Sequence, residues 1–155
     1  MTDPLTTQDC ADFELLTGLT EDQCATIASL AHTVSYDVGR LIIEEGRTAD
    51  RCWLIRSGEV SLEIHRPGMP ANTLQTLGPG DVLGWSWLVP PHRWRFDARV
   101  TAPVTAIELD AVRLREYAEA DPALGYALAV QMVKVLADRL HSTRARLEDL
   151  YGSPR

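Results

Sequence analysis

The spacing of hydrophobic and polar positions changes period twice along this chain, which divides it into three regions. From Phe13 to Val34 the pattern is helical, and after Thr20 the apolar residues Cys24, Ile27, Ala28, Leu30 and Ala31 recur on one face. Thr20-Glu21-Asp22-Gln23 marks the start of that helix, because the Thr20 hydroxyl and the Gln23 side chain can each satisfy the other's backbone donor. From Ser35 to Asp110 the period is that of strands. Val60-Ser61-Leu62-Glu63-Ile64 and Val104-Thr105-Ala106-Ile107-Glu108-Leu109 alternate strictly, and Leu41-Ile42-Ile43 and Trp53-Leu54-Ile55 form shorter apolar runs. Seven of the ten glycines fall in this stretch and separate the runs, as in a sandwich or barrel. Arg66 to Asn72 reads as a hairpin loop, and Gly78-Pro79-Gly80-Asp81 as a β-turn.

After Asp110 the helical period returns. A short helix over about Ala111 to Glu119 breaks at Asp121-Pro122, where Asp121 can cap the next helix and Pro122 suits its first turn. The long segment to Tyr151 carries Tyr126, Ala129, Val133, Leu136, Leu140, Thr143, Leu147 and Leu150 at spacings that alternate between three and four. Such a heptad seam predicts a parallel two-fold homodimer through Val133, Leu136, Leu140 and Leu147; the other reading lays the helix wholly on its own domain. The fold class expected is mainly β within α+β. It is a cupin-like double-stranded β-roll, or jelly roll, over about residues 35–110, with N-terminal helices before it and C-terminal helices over about 111–151.

Composition narrows the function. A chain of 155 residues with 45% hydrophobic content is one compact domain, expected over residues 10–155 behind a flexible N-terminus at 1–9. A formal net charge of −7 repels phosphodiester backbones, so no direct DNA binding is expected. Without a basic and apolar leader or an apolar run of membrane-spanning length, the expectation is a cytoplasmic protein with no membrane partner. Cys10, Cys24 and Cys52 form no C-x-x-C pair and are expected to be ordinary reduced thiols. His32, His65, His92 and His141 lie in four different elements, so no metal site and no cofactor are expected. No phosphate loop, nucleophile elbow or dinucleotide fingerprint is present, and catalysis is not expected.

The candidate chemistry lies in Leu77-Gly78-Pro79-Gly80-Asp81-Val82-Leu83-Gly84-Trp85-Ser86-Trp87-Leu88, where a Gly and Pro-rich turn leads into an apolar segment able to start a helix. This run resembles L-x-P-G-D-x-F-G-E-L-A-L of the cyclic nucleotide-binding domain family, of the catabolite activator, Crp/Fnr-like class. The order and spacing of Gly39 to Gly46, Trp53 to Val60 and Leu77 to Gly84, with the flanking helices, follow the family over nearly the whole chain. The resemblance implies a ligand pocket at Leu83, Gly84, Trp85, Ser86 and Trp87, closed by Arg95, Phe96, Asp97 and Ala98. It also implies that the pocket is degenerate. Trp85 stands where the family's ribose-binding Glu belongs, Phe96 where its phosphate-binding Arg belongs, and Asp97 in place of the small neighbour. One slipped residue in the alignment would bring Arg95 to the phosphate position.

An Arg to phosphate contact is a charge-assisted bond of about 1.5–3 kcal/mol net, and Asp97 adds repulsion instead. Ordinary binding of cyclic AMP or cyclic GMP is therefore not expected. Trp85, Trp87 and Trp94 either fill the cavity or present a platform for another ring. Arg93-Trp94-Arg95-Phe96-Asp97-Ala98-Arg99-Val100 alternates, which sends Trp94, Phe96, Ala98 and Val100 to one face and the arginines and Asp97 to the other. That polar face reads as a solvated strand in which Asp97 pairs an arginine, or as a docking patch for an acidic partner or ligand. The function expected is a non-enzymatic regulatory or sensory module that acts through an unknown protein partner. Two alternatives are a sensor of a more apolar or aromatic ligand and an assembly subunit with no ligand. In this class the chain commonly continues into a helix-turn-helix domain, and here it stops about where that domain would begin.

Overall fold

A computed structural model describes residues 5–151. Helix α1 (Thr7–Asp12), a 3-10 turn (Glu14–Leu16) and helix α2 (Glu21–Ala28) lead into a six-stranded antiparallel sheet. Its strands are β1 (Ala31–Tyr36), β2 (Leu41–Ile43), β3 (Arg51–Ile64), β4 (Asn72–Leu77), β5 (Val82–Leu83) and β6 (Asp97–Asp110). Helices α3 (Ala111–Ala120) and α4 (Pro122–Tyr151) follow. The order along the sheet is β1-β6-β3-β4, with β2 paired to β6 and β5 to β3. This is the expected roll between N-terminal helices and a long C-terminal helix.

Several local expectations hold at atomic detail. Thr20 and Gln23 form the capping box of α2, with Thr20 N donating to Gln23 Oε1 at 3.0 Å and Gln23 N to Thr20 Oγ1 at 3.2 Å. Asp121 caps α4, accepting from Ala123 N at 3.1 Å. The loop between β3 and β4 turns at Gly68, whose φ of +75° favours glycine.

The strand boundaries differ from expectation. The two apolar runs Trp53–Ile55 and Val60–Ile64 belong to one 14-residue strand, and β6 is equally long. Gly58 makes this continuity possible. Its φ is +97°, and a Cβ there would stand 2.2 Å from the Pro103 carbonyl oxygen, so only glycine lets β3 and β6 cross closely at that bulge. The buried cross-strand pairs Ile55–Ala106, Val60–Val100 and Leu62–Ala98 lie on either side of it and anchor the core. The helical reading of Phe13 to Val34 also ends early: α2 stops at Ala28, and Ala31–Tyr36 joins the sheet, where pairing with β6 outweighs helix periodicity.

The N-terminal segment departs most from expectation. Residues 1–4 lie outside the described residues; within 5–9, Leu5 is buried, and Thr6 forms a second capping box with Asp9. Asp9 lies in a buried position and takes both guanidinium nitrogens of Arg56, each at 2.8 Å. Burial raises its pKa, yet the bonds from Arg56 and Thr6 outweigh that and hold the carboxyl below the usual carboxylate value. The expectation of three reduced thiols is also corrected, since Cys10 of α1 and Cys24 of α2 form a disulfide with their Cα atoms 6.4 Å apart. Packing of the two helices, not a sequence motif, brings them together. Cys52 stays free and fully buried, and burial followed by the nearby Glu108 charge pushes its thiol far up.

Helix α4 has two apolar faces. Leu124, Leu128 and Met132 are buried against the rest of the fold, whereas Tyr126 (73% exposed), Val133 (65%), Leu140 (64%), Leu147 and Leu150 are open. Leu136 lies between the two, partly buried against the core. The helix therefore lays one apolar face on its own domain and leaves a second one open.

Candidate functional site

The glycine-rich turn is built by its own side chains and backbone. Asp81 N donates to Gly78 O at 3.1 Å, and Gly78 N returns a bond to Asp81 Oδ2 at 2.8 Å, which closes the β-turn. β5 then pairs Leu83 with Trp53 and Val82 with Leu54. Gly84 follows at φ +99°, with the Trp94 indole against its α-carbon. The expected helix start is a single turn instead, held by Leu88 N to Trp85 O at 3.1 Å and Val89 N to Ser86 O at 3.3 Å. Trp87 is wholly buried and donates from Nε1 to Gly84 O at 3.2 Å, and Arg115 of α3 donates to Trp87 O at 2.6 Å.

The structure brings the sequence-predicted residues together but turns them in different directions. Leu83, Gly84, Trp87, Phe96 and Ala98 are buried, and Trp85 is half-buried against the same core. Ser86 is buried with no hydrogen-bond partner for its Oγ. The alternation from Arg93 to Val100 holds position by position: Trp94, Phe96, Ala98 and Val100 point in, and Arg93 and Arg95 point to solvent. Asp97 does not pair an arginine. Its Oδ1 accepts from Glu45 N at 2.8 Å, and its Oδ2 lies 3.2 Å from His65 Nε2. Arg99 turns instead to Glu63, at 3.4 Å, and to Gly39 O, at 3.1 Å.

An anion approaching Phe96 and Asp97 would thus meet a ring and a carboxylate already engaged by the Glu45 N–H and the His65 ring. Arg95 lines a shallow cleft that opens outward between Glu45 and Pro91. Among the described residues no group of three or more His, Cys, Asp or Glu side chains is arranged to hold a metal ion.

A polar cluster that sequence reasoning missed lies beside this turn. Glu108 is buried and accepts from Trp53 Nε1 at 3.0 Å, from the Tyr36 hydroxyl at 3.2 Å and from Arg51 at 3.4 Å, with His32 Nε2 at 2.6 Å. Burial, which outweighs the Trp53 bond, raises the Tyr36 hydroxyl pKa. The cluster's only signal in the sequence was a glutamate of β6 within a strand alternation, and that glutamate's partners come from β1 and β3.

A roll entered by short helices and left by one long helix, with a glycine turn ahead of a closing strand, defines the structural class. The family model for the cyclic nucleotide-binding domain matches residues 33–121, and the chain belongs to that family. The chain is 28% identical over 133 residues to the CRP-like cAMP-activated global transcriptional regulator of Mycobacterium tuberculosis (strain CDC 1551 / Oshkosh), covering 86% of this chain and 58% of that protein. It is also 28% identical over 134 residues to Glutaminase 2 of Bradyrhizobium diazoefficiens, a match that takes in 86% of this chain and 21% of the glutaminase. The chain thus spans little more than half the length of the first relative and a fifth of the second. Among solved structures, a protein of Geobacter metallireducens GS-15 assigned to cyclic nucleotide binding superposes with a TM-score of 0.81 at 29% identity, over 91% of this chain and all of that one. No helix among the described residues is long and apolar enough to cross a membrane.

Proposed function

We propose that this chain is a non-enzymatic, cytoplasmic regulatory module that does not bind cyclic AMP or cyclic GMP in the usual way and acts as a homodimer on a partner protein. One observation carries the reading: at the position that resembles the family's phosphate-binding arginine, Phe96 is turned into the core, 6% exposed, beside an Asp97 held by Glu45 N–H and His65. Loss of about 3 kcal/mol from a micromolar site is about two decades, so calorimetric titration with either nucleotide should show nothing tighter than about 100 μM. Low-micromolar binding would overturn the reading and direct attention to Arg95.

The open stripe of α4 supports the dimer. An apolar row with Val133 and Leu140 about two-thirds exposed is the kind of face that a second copy covers. Replacing Leu136 and Leu140 together by Glu should give a folded monomer by circular dichroism and light scattering, and a wild type that is already monomeric at micromolar concentration would remove the claim. A sensor of a more apolar or aromatic ligand is the second reading, favoured by Ser86, whose buried hydroxyl has no partner, next to a half-buried Trp85.

A further inference from the structure

A cationic cleft of about 670 Å³ lies outside the glycine turn. It lies between the Arg40–Thr48 segment, the start of β3 and the Arg93–Trp94 segment, and its walls are fixed by backbone bonds: Gly46 N to Trp94 O at 2.8 Å and Trp94 N to Arg47 O at 2.9 Å. Four arginines line it, Arg40, Arg47, Arg51 and Arg93, against two acids, Glu44 and Asp50, in a chain whose net charge is −7. Arg47 is matched by Glu44 at 2.5 Å. Arg51 is shared loosely between Asp50 at 3.5 Å and Glu108 at 3.4 Å. Arg40 and Arg93 have no carboxylate within ion-pair distance among the described residues; Arg40 lies over the Tyr36 ring at 5.3 Å, and Arg93 donates to Gly46 O at 3.0 Å. Both therefore keep free guanidinium donors on the rim, above a floor formed by Trp53 and Trp94.

We infer that this cleft is a binding site for a small polyanion, a free ligand bearing phosphate or carboxylate groups, separate from the degenerate turn. Its volume falls within the range of small-ligand sites, and a cation-rich concave wall concentrates anions even in an acidic protein. Guanidinium groups brought to one cleft from two segments give two-point recognition of oxyanions, which a single surface arginine does not. The inference does not depend on whether the turn binds a nucleotide.

The test is titration of the full chain with inorganic pyrophosphate and, separately, citrate, at an ionic strength held near 0.15 M, read by tryptophan fluorescence and calorimetry. Saturable sub-millimolar binding is expected, weakened about tenfold or more by Arg40→Gln and by Arg93→Gln and unchanged by Arg113→Gln on the exposed face of α3. Circular dichroism and thermal melting of the variants report that they fold, since neither arginine is part of the core. Failure to saturate with either anion overturns the inference. So does binding that survives both cleft substitutions, or saturation by an acidic peptide when the small anions fail, which would make the cleft a protein-docking face.

Discussion

Two hollows of this molecule use the same residue types to opposite ends. Around Gly84 the concavity is filled: Trp87 and Phe96 are buried, Trp94 presses on the glycine, and the guanidinium of Arg115 is spent on the Trp87 carbonyl. A few residues away the Arg40–Arg93 cleft is open, with its arginines on the rim and its tryptophans beneath. One segment serves both, because the alternation from Arg93 to Val100 sends rings inward and arginines outward. In an extended segment the side-chain period is two, so a shift by one residue exchanges every inward and outward group. The segment therefore keeps its cationic groups near the glycine turn but presents Arg93 and Arg95 on the face opposite its rings.

Stability measurements can break that contrast, and the largest effect is expected at the filled hollow. Trp87→Ala removes a wholly buried indole that also bonds Gly84 O, and it should cost about 3–5 kcal/mol in chemical denaturation. A loss below about 1 kcal/mol would show that the hollow is not close-packed. A matched buried charge sets the next step. Asp9→Asn should cost about 1–2 kcal/mol, since Arg56 is partly solvated and only part of the pair's attraction is at stake. Because the Asp9 carboxyl is held below its ordinary value, this contribution is complete above about pH 4 and is lost as pH falls further. The gap between wild type and Asp9→Asn should therefore close in acid, and a gap that stays constant down to about pH 2 would contradict the ion pair.

Trp85→Ala should cost about 1 kcal/mol, less than Trp87→Ala, because its ring is half-buried and the indole is a surface seal rather than a filler. Equal losses at the two positions would mean that Trp85 is the true plug. The smallest effect is expected at the open cleft, where Arg40→Gln should change stability by no more than about 0.5 kcal/mol. A larger loss would reveal a structural guanidinium and remove the comparison's second term.

The overall fold was legible in the sequence wherever period alone determines it. The caps at Thr20 and Asp121, the hairpin at Gly68, the Gly78–Asp81 turn and the inward set Trp94, Phe96, Ala98 and Val100 are all local consequences of residue type and spacing. The joining of two runs into β3 was not legible. A glycine reads as a separator, and only the approach of Pro103, 45 residues away in sequence, turns it into a bulge. The Asp9–Arg56 pair and the Cys10–Cys24 bond arise from the way α1 packs, and no short-range signal encodes that. The same holds for the cleft. Arg93 was visible as part of a basic strip, but Arg40, Arg47 and Arg51 join it only through pairing distant in sequence, the Thr48–Arg93 bridge among it.

The contact between Gly84 and Trp94 also constrains the order in which this domain can change. A Cβ on residue 84 would stand 2.8 and 3.1 Å from two carbons of the indole, and the backbone there is already at φ +99°. Positions 84 and 94 are therefore not independent targets of mutation. A side chain at 84 becomes tolerable only after the indole has been cut back, and it then still carries the strain of a left-handed residue. The reverse order passes through a variant that cannot pack. A lineage moving toward a roomier pocket would thus change Trp94 first and keep the glycine, and two positions ten residues apart would record that history as one linked event.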